Sequence, residues 1–104
     1  MERELLYKKR KLLTVITEAS IERKVTADVL KLGAKGYTVC GASGQGHRGI
    51  READWDANRN VRIEVVCSEQ VARAITEHLV DTYYKDYAMI VLLADVEVIR
   101  PEKF

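Results

Sequence analysis

Leu12-Leu13-Thr14-Val15-Ile16-Thr17 is short, apolar and β-branched, which predicts a buried strand. Ser20 follows as a candidate helix N-cap. Ile21, Val25, Val29 and Leu32 then recur at spacings of four, four and three, one face of a helix. Gly33 stands where such a helix would be C-capped. Tyr37-Thr38-Val39-Cys40 predicts a second strand. From Gly41 to about Arg59 no period is sustained, and Gly41, Gly44, Gly46 and Gly49 interrupt any regular element. Order returns at Val61-Arg62-Ile63-Glu64-Val65-Val66, where apolar and charged positions alternate as in a strand with one covered face. Ser68 is a second candidate N-cap, and Val71, Ile75, His78 and Leu79 mark a helix running to about Tyr84. Ala88 to Ile99 holds the most apolar run, Met89 to Ala94, and predicts a central strand. Pro101 ends it, since proline cannot supply a ladder N–H.

The order is strand, helix, strand, long loop, strand, helix, strand. Two such βαβ halves fold most simply as an α+β, ferredoxin-like βαββαβ sandwich, a four-stranded antiparallel sheet with two helices on one face. The strands are apolar at both phases, as at Leu12-Leu13, Val65-Val66 and Ile90-Val91-Leu92-Leu93. The second sheet face is therefore expected to be buried against further copies of the chain.

Composition narrows the function. The 104 residues, read here as a single domain over 1–104, are 47% hydrophobic and 32% charged. Lys+Arg 17 against Asp+Glu 16 leaves a net charge of +1, which asks for neither nucleic acid nor an anionic membrane. Cys40 and Cys67 have no metal-ligand spacing and form no disulfide framework, so two reduced, partly buried thiols are expected. No apolar run approaches the roughly 18 residues of a membrane span, and the charged N-terminus does not resemble a signal peptide. A cytoplasmic location is expected.

The chemistry concentrates in the loop, about residues 42–60. Connections of this length within compact domains are uncommon and usually functional or disordered. Gly44-Gln45-Gly46 permits close backbone approach and aims N–H groups at a ligand, while Arg48 and Arg51 bring forked donors suited to phosphate. This is not a P-loop, because no Lys-Ser/Thr pair follows. The residues alone leave two readings: an anion site, or a solvated loop whose arginines pair with Glu52, Asp54 and Asp56. His47 reads as a loop histidine beside an anion site, and His78 as a satisfied core or interface residue. Trp55 reads as a partner anchor or as cover for the base of the loop. The segment around Tyr87 could offer backbone groups to a nucleobase from the sheet edge that carries the Gly-rich loop. No catalytic triad or dyad and no metal-ligand set is legible.

Taken together, several stretches resemble the PII-like signalling proteins, specifically the cyanobacterial SbtB-type regulators of a sodium-dependent bicarbonate transporter. They are Leu13 to Glu18, Gly33 to Val39, Gly44 to Arg51, Asp86 to Ile90 and Asp95 to Ile99. The resemblance spans nearly the whole chain. It implies a homotrimer that binds the adenine nucleotides AMP, ADP, ATP and cAMP as effectors in inter-subunit clefts, with no tightly bound cofactor. It implies a T-loop, about 42–60, that contacts phosphate and carries the signal to the transporter in inorganic-carbon acclimation. On this chain the nucleotide-binding positions would be Gly44, Gln45, Gly46 and Arg48, with Arg51, Tyr87, Ala88, Met89 and Ile90. Glu52, Asp54, Trp55 and Arg59 of the T-loop would address the partner, placing the protein peripherally at the inner membrane. Gln45 stands where members often carry a basic residue, and Arg100-Pro101-Glu102-Lys103-Phe104 lacks the cysteine pair of many relatives, so redox control is not expected.

A small phosphate-handling enzyme of acylphosphatase-like fold is the alternative. There the anion loop follows the first strand, where this chain has Thr17-Glu18-Ala19-Ser20. RNA binding through the sheet would need exposed aromatics on the central strands, and Val61 to Val66 has none.

Overall fold

The computed structural model describes residues 3–44 and 59–104. Strand β1 (Lys8–Glu18) leads through a 3₁₀ turn (Ala19–Ile21) into helix α1 (Glu22–Lys31). Strand β2 (Thr38–Ala42), strand β3 (Asn60–Cys67), helix α2 (Glu69–Tyr83) and strand β4 (Ile90–Val98) follow, then a 3₁₀ turn at Pro101–Lys103. The sheet runs β2-β3-β1-β4 with every pairing antiparallel, the expected ferredoxin-like arrangement.

Side-chain alternation divides the sheet into two faces. Leu13, Val15 and Thr17 of β1 lie opposite Val65, Ile63 and Val61 of β3, and all six are buried. They pack with Val25 and Val29 of α1 and with Ala72, Ile75 and Leu79 of α2 in one core cluster. The other phase makes the outer face: Leu12, Thr14 and Ile16 lie opposite Ala94, Leu92 and Ile90. No helix covers it among the described residues, and Ile90 and Leu92 are 51% and 54% exposed.

The helix ends follow local chemistry with one exception. Ser68 caps α2, its hydroxyl accepting from the Val71 N–H at 3.2 Å. Gly33 follows α1 at φ +117°, a conformation that L side chains rarely adopt. Ser20 is not a cap. It lies within the 3₁₀ turn, and α1 begins at Glu22 with no side-chain cap. The reason is that β1 runs on to Glu18, paired with Asn60, so the chain turns tightly instead of breaking before a capped helix.

Three further expectations change. β4 is an edge strand, not a central one, because β1 gives its second side to β3. Its second apolar phase, Ile90 and Leu92, lies on the outer face, which no described helix covers. Cys67 is buried, but Cys40 is exposed on β2. Finally, β2 starts one residue after Tyr37 and takes in Gly41 and Ala42, which pair with Val61 and Asn60, so the ladder extends into the stretch expected to be irregular.

Candidate functional site

Two regions of the sheet stand out: one gathers sequence-predicted positions, the other holds an open cavity. The first is the end where β1 and β2 finish and β3 and β4 begin. Ala42 and Glu18 both lie opposite Asn60, and Ile16 opposite Ile90. Gly44, Arg59 and the Tyr87–Ile90 connection, which are far apart in sequence, thus share one end of the sheet. Contrary to the expectation from sequence, they do not share a sheet edge. Gly44 follows edge strand β2, Arg59 leads into inner strand β3, and the Tyr87–Ile90 connection enters the opposite edge strand β4, about 14 Å from β2 at the usual strand spacing, because β3 and β1 pair between them.

The loop base is exposed at Gly44 and Arg59. A Cβ built on Gly44 would meet nothing within 4 Å among the described residues, so the surrounding fold does not itself demand glycine there. Across the sheet end, Met89 is buried, Tyr87 and Ala88 are half-buried and Ile90 is exposed. The Tyr87 N–H donates to the Tyr83 carbonyl at 3.0 Å. The Ala88 N–H donates to Glu18 Oε2 at 3.3 Å. The Ala19 N–H donates to the Arg59 carbonyl at 2.8 Å, so the chain leaving β1 also braces the return of the loop. Gln45, Gly46, His47, Arg48, Arg51, Glu52, Asp54 and Trp55 lie outside the described residues.

The second region is an open cavity of about 270 Å³ on the outer face, near the lower end of small-molecule sites. Leu12 and Val66 line it with apolar surface, Tyr37 and Phe104 with rings, and Thr38 and Glu64 with polar groups. The C-terminal turn is carried over this part of the sheet by Arg10, which donates to the Pro101 carbonyl at 3.3 Å, and by Lys35, which donates to the Glu102 carbonyl at 3.1 Å. The cavity was not legible in the sequence, because it is assembled from β1, β2, β3 and the C-terminus. Thr38 pairs with Glu64 four residues from Ala42 with Asn60, so cavity and loop base lie about 13 Å apart along the outer face.

His78 is satisfied as expected, but at the surface between helices. Its Nε2 lies 3.0 Å from Asp28 Oδ2, which also accepts from the Tyr83 hydroxyl at 2.6 Å. Among the described residues no cluster of three or more His, Cys, Asp or Glu side chains could hold a metal ion. No described helix is long and apolar enough to cross a membrane. The chain leaves β1 at Glu18 directly into the 3₁₀ turn, with no room for the anion loop that an acylphosphatase places after its first strand.

A family model for the nitrogen regulatory protein P-II matches residues 10–103. Among solved structures, a protein of Thermus thermophilus to which a PII-like signalling role is attributed is 41% identical. It superposes with a TM-score of 0.83, and the match covers 94% of this chain and 97% of that one. CPII, a nitrogen regulatory PII-like protein from Thiomonas intermedia bound to ADP, AMP and bicarbonate, is 25% identical with a TM-score of 0.88, over 97% and 98% of the two chains. A second structure of CPII, bound to ADP and bicarbonate, is 25% identical with a TM-score of 0.86, over 97% and 99%.

Proposed function

Since this chain belongs to the nitrogen regulatory protein P-II family, we propose that it is an adenine-nucleotide-sensing regulator, not an enzyme, that works as a homotrimer. The observation that carries the reading is the gathering of Gly44, Arg59 and the Tyr87–Ile90 connection at one end of the sheet, beside an outer face that offers a ring-sized cavity. The cavity lies from the loop base at a distance comparable to the reach of an extended nucleoside phosphate. The Tyr87–Ile90 connection sits on the opposite sheet edge, so a nucleotide in a cleft between two copies takes its loop contacts from one edge and its β4 contacts from the other.

In this reading Gly44, Gln45, Gly46, Arg48 and Arg51 hold the phosphates, and Tyr87, Ala88, Met89 and Ile90 hold the adenosine. AMP, ADP, ATP and cAMP compete for the cleft, with a metal ion required only if ATP brings one. The effector acts by its differential affinity for the states of the T-loop. Glu52, Asp54, Trp55 and Arg59 of that loop meet the partner, for which a sodium-dependent bicarbonate transporter at the membrane is the proposed identity. That CPII binds ADP, AMP and bicarbonate supports an effector role for both adenine nucleotides and inorganic carbon.

Calorimetry with each nucleotide tests the proposal. Arg48→Ala and Arg51→Ala should each weaken binding of ADP by about 1.5–3 kcal/mol, the range for hydrogen bonds to charged groups. Unchanged affinity in both variants counts against the phosphate grip. Turnover of ATP or an acyl phosphate above about 1 s⁻¹ would favour catalysis instead.

A further inference from the structure

We propose that Glu18 is a positioning residue that ties the Tyr87–Ile90 connection to the base of the long loop and couples the ligand state of one to the other. The coupling rests on the nucleotide-sensing reading above; the tie itself does not.

The β1–β4 ladder ends at Ile16 and Ile90. Ala88 and Met89 therefore lie beyond the last backbone pair that could hold them. Glu18 supplies the missing partner: its carboxylate accepts the Ala88 N–H at 3.3 Å, a contact between residues 70 positions apart. On the other side of the same strand, Glu18 forms the last β1–β3 pair with Asn60, and the next amide, Ala19, donates to the Arg59 carbonyl at 2.8 Å. Two consecutive residues thus grip both the β4 connection and the return of the loop. The connection is otherwise anchored at Tyr87 by the Tyr83 carbonyl and at Ile90 by the ladder. Ala88 lies between these anchors, and a side chain, not the ladder, meets its N–H.

An acceptor of this length is what the position requires. Glutamine keeps a side-chain oxygen at the same reach. Methionine keeps the length and apolar stem but removes the strong acceptor. Glu18 is half-buried at a strand end, so neither variant opens a core cavity.

The test is amide hydrogen exchange of the full chain, followed at Ala88 and at Val61 next to the loop base, without ligand and with AMP or ADP. Calorimetry on the same samples gives affinity. In the free protein, Glu18→Met should speed Ala88 exchange about tenfold, the loss of one hydrogen bond. It should also weaken AMP binding several-fold and abolish the change that AMP produces at Val61. Glu18→Gln should restore all three. Unchanged Ala88 exchange in Glu18→Met overturns the tie. Faster Ala88 exchange with AMP affinity and the Val61 response intact overturns the coupling, and Glu18→Gln behaving like Glu18→Met overturns the acceptor role. If the unaltered protein binds no adenine nucleotide, the functional reading and the coupling fall together, while Ala88 exchange in the free protein still decides whether Glu18 holds the connection.

Discussion

Asp28, His78 and Tyr83 form a connected polar group away from the sheet end. One carboxylate oxygen meets both the tyrosine hydroxyl and the imidazole, joining α1 to α2. The Tyr83 and His78 rings meet edge to face, as do those of Tyr83 and Tyr87. Burial, reinforced by the hydrogen bond to Asp28 and by its charge, pushes the Tyr83 hydroxyl up to about 12. The folded state therefore holds this proton more tightly than the unfolded chain, whose tyrosine titrates near 10. The stabilisation is complete below pH 10 and is lost as pH rises from 10 to about 12. Asp28→Asn should lower the Tyr83 ionisation without returning it fully to the ordinary value, because burial remains; ultraviolet titration of the phenolates reads this directly. The cysteines divide in the same physical way. Burial raises the Cys67 thiol pKa and removes it from reagents, whereas Cys40 is open on β2.

At the scale of elements, the end of α1 is the most constrained junction. Gly33 has φ +117°, and a Cβ there would also meet Val71 Cγ2 of α2 at 3.1 Å. Gly33→Ala should therefore destabilise the protein by about 1–3 kcal/mol, through backbone strain and crowding against α2. Urea denaturation should show a lower midpoint with an unchanged slope; a midpoint equal to that of the unaltered protein would refute this. Gly33 and Ser68 were both legible in the sequence because caps are local. Ser20 misled for the opposite reason: whether a chain turns or caps there depends on how far β1 stays paired with β3, and that pairing is not local.

For the whole molecule, the outer sheet face is decisive. Leu12, Ile16, Val66, Ile90, Leu92 and Ala94 share it, and no described helix covers it. Burying one leucine is worth about 1.5–3 kcal/mol, so several together suffice to hold copies of the chain together. Leu92→Glu should convert the proposed trimer to monomer in sedimentation equilibrium and, because the cleft is shared, abolish nucleotide binding as well. A wild-type monomer at micromolar concentration would overturn the assembly. A monomeric variant that still binds ADP would place the site within one chain.

Alternation at period two and the apolar face of each helix, both local patterns, determined the βαββαβ order, the core positions and the two-sided strands. The same text also supplies, after β2, the Gly- and Arg-bearing stretch from Gly44 to Arg51 on which the proposed phosphate contacts rest. It could not say that β4 is an edge, since both a buried centre and an oligomeric face produce apolar runs. It set the Tyr87 segment on the edge that carries Gly44, whereas strand order puts the two on opposite edges, and it could not build a cavity from Leu12, Tyr37, Glu64 and Phe104 or give Glu18 a partner 70 residues away. Those depend on strand order and register, which long-range pairing fixes. The long loop thus gains what its own residues do not carry: a closed base at Ala42 and Asn60, and Ala19 bracing its return at Arg59.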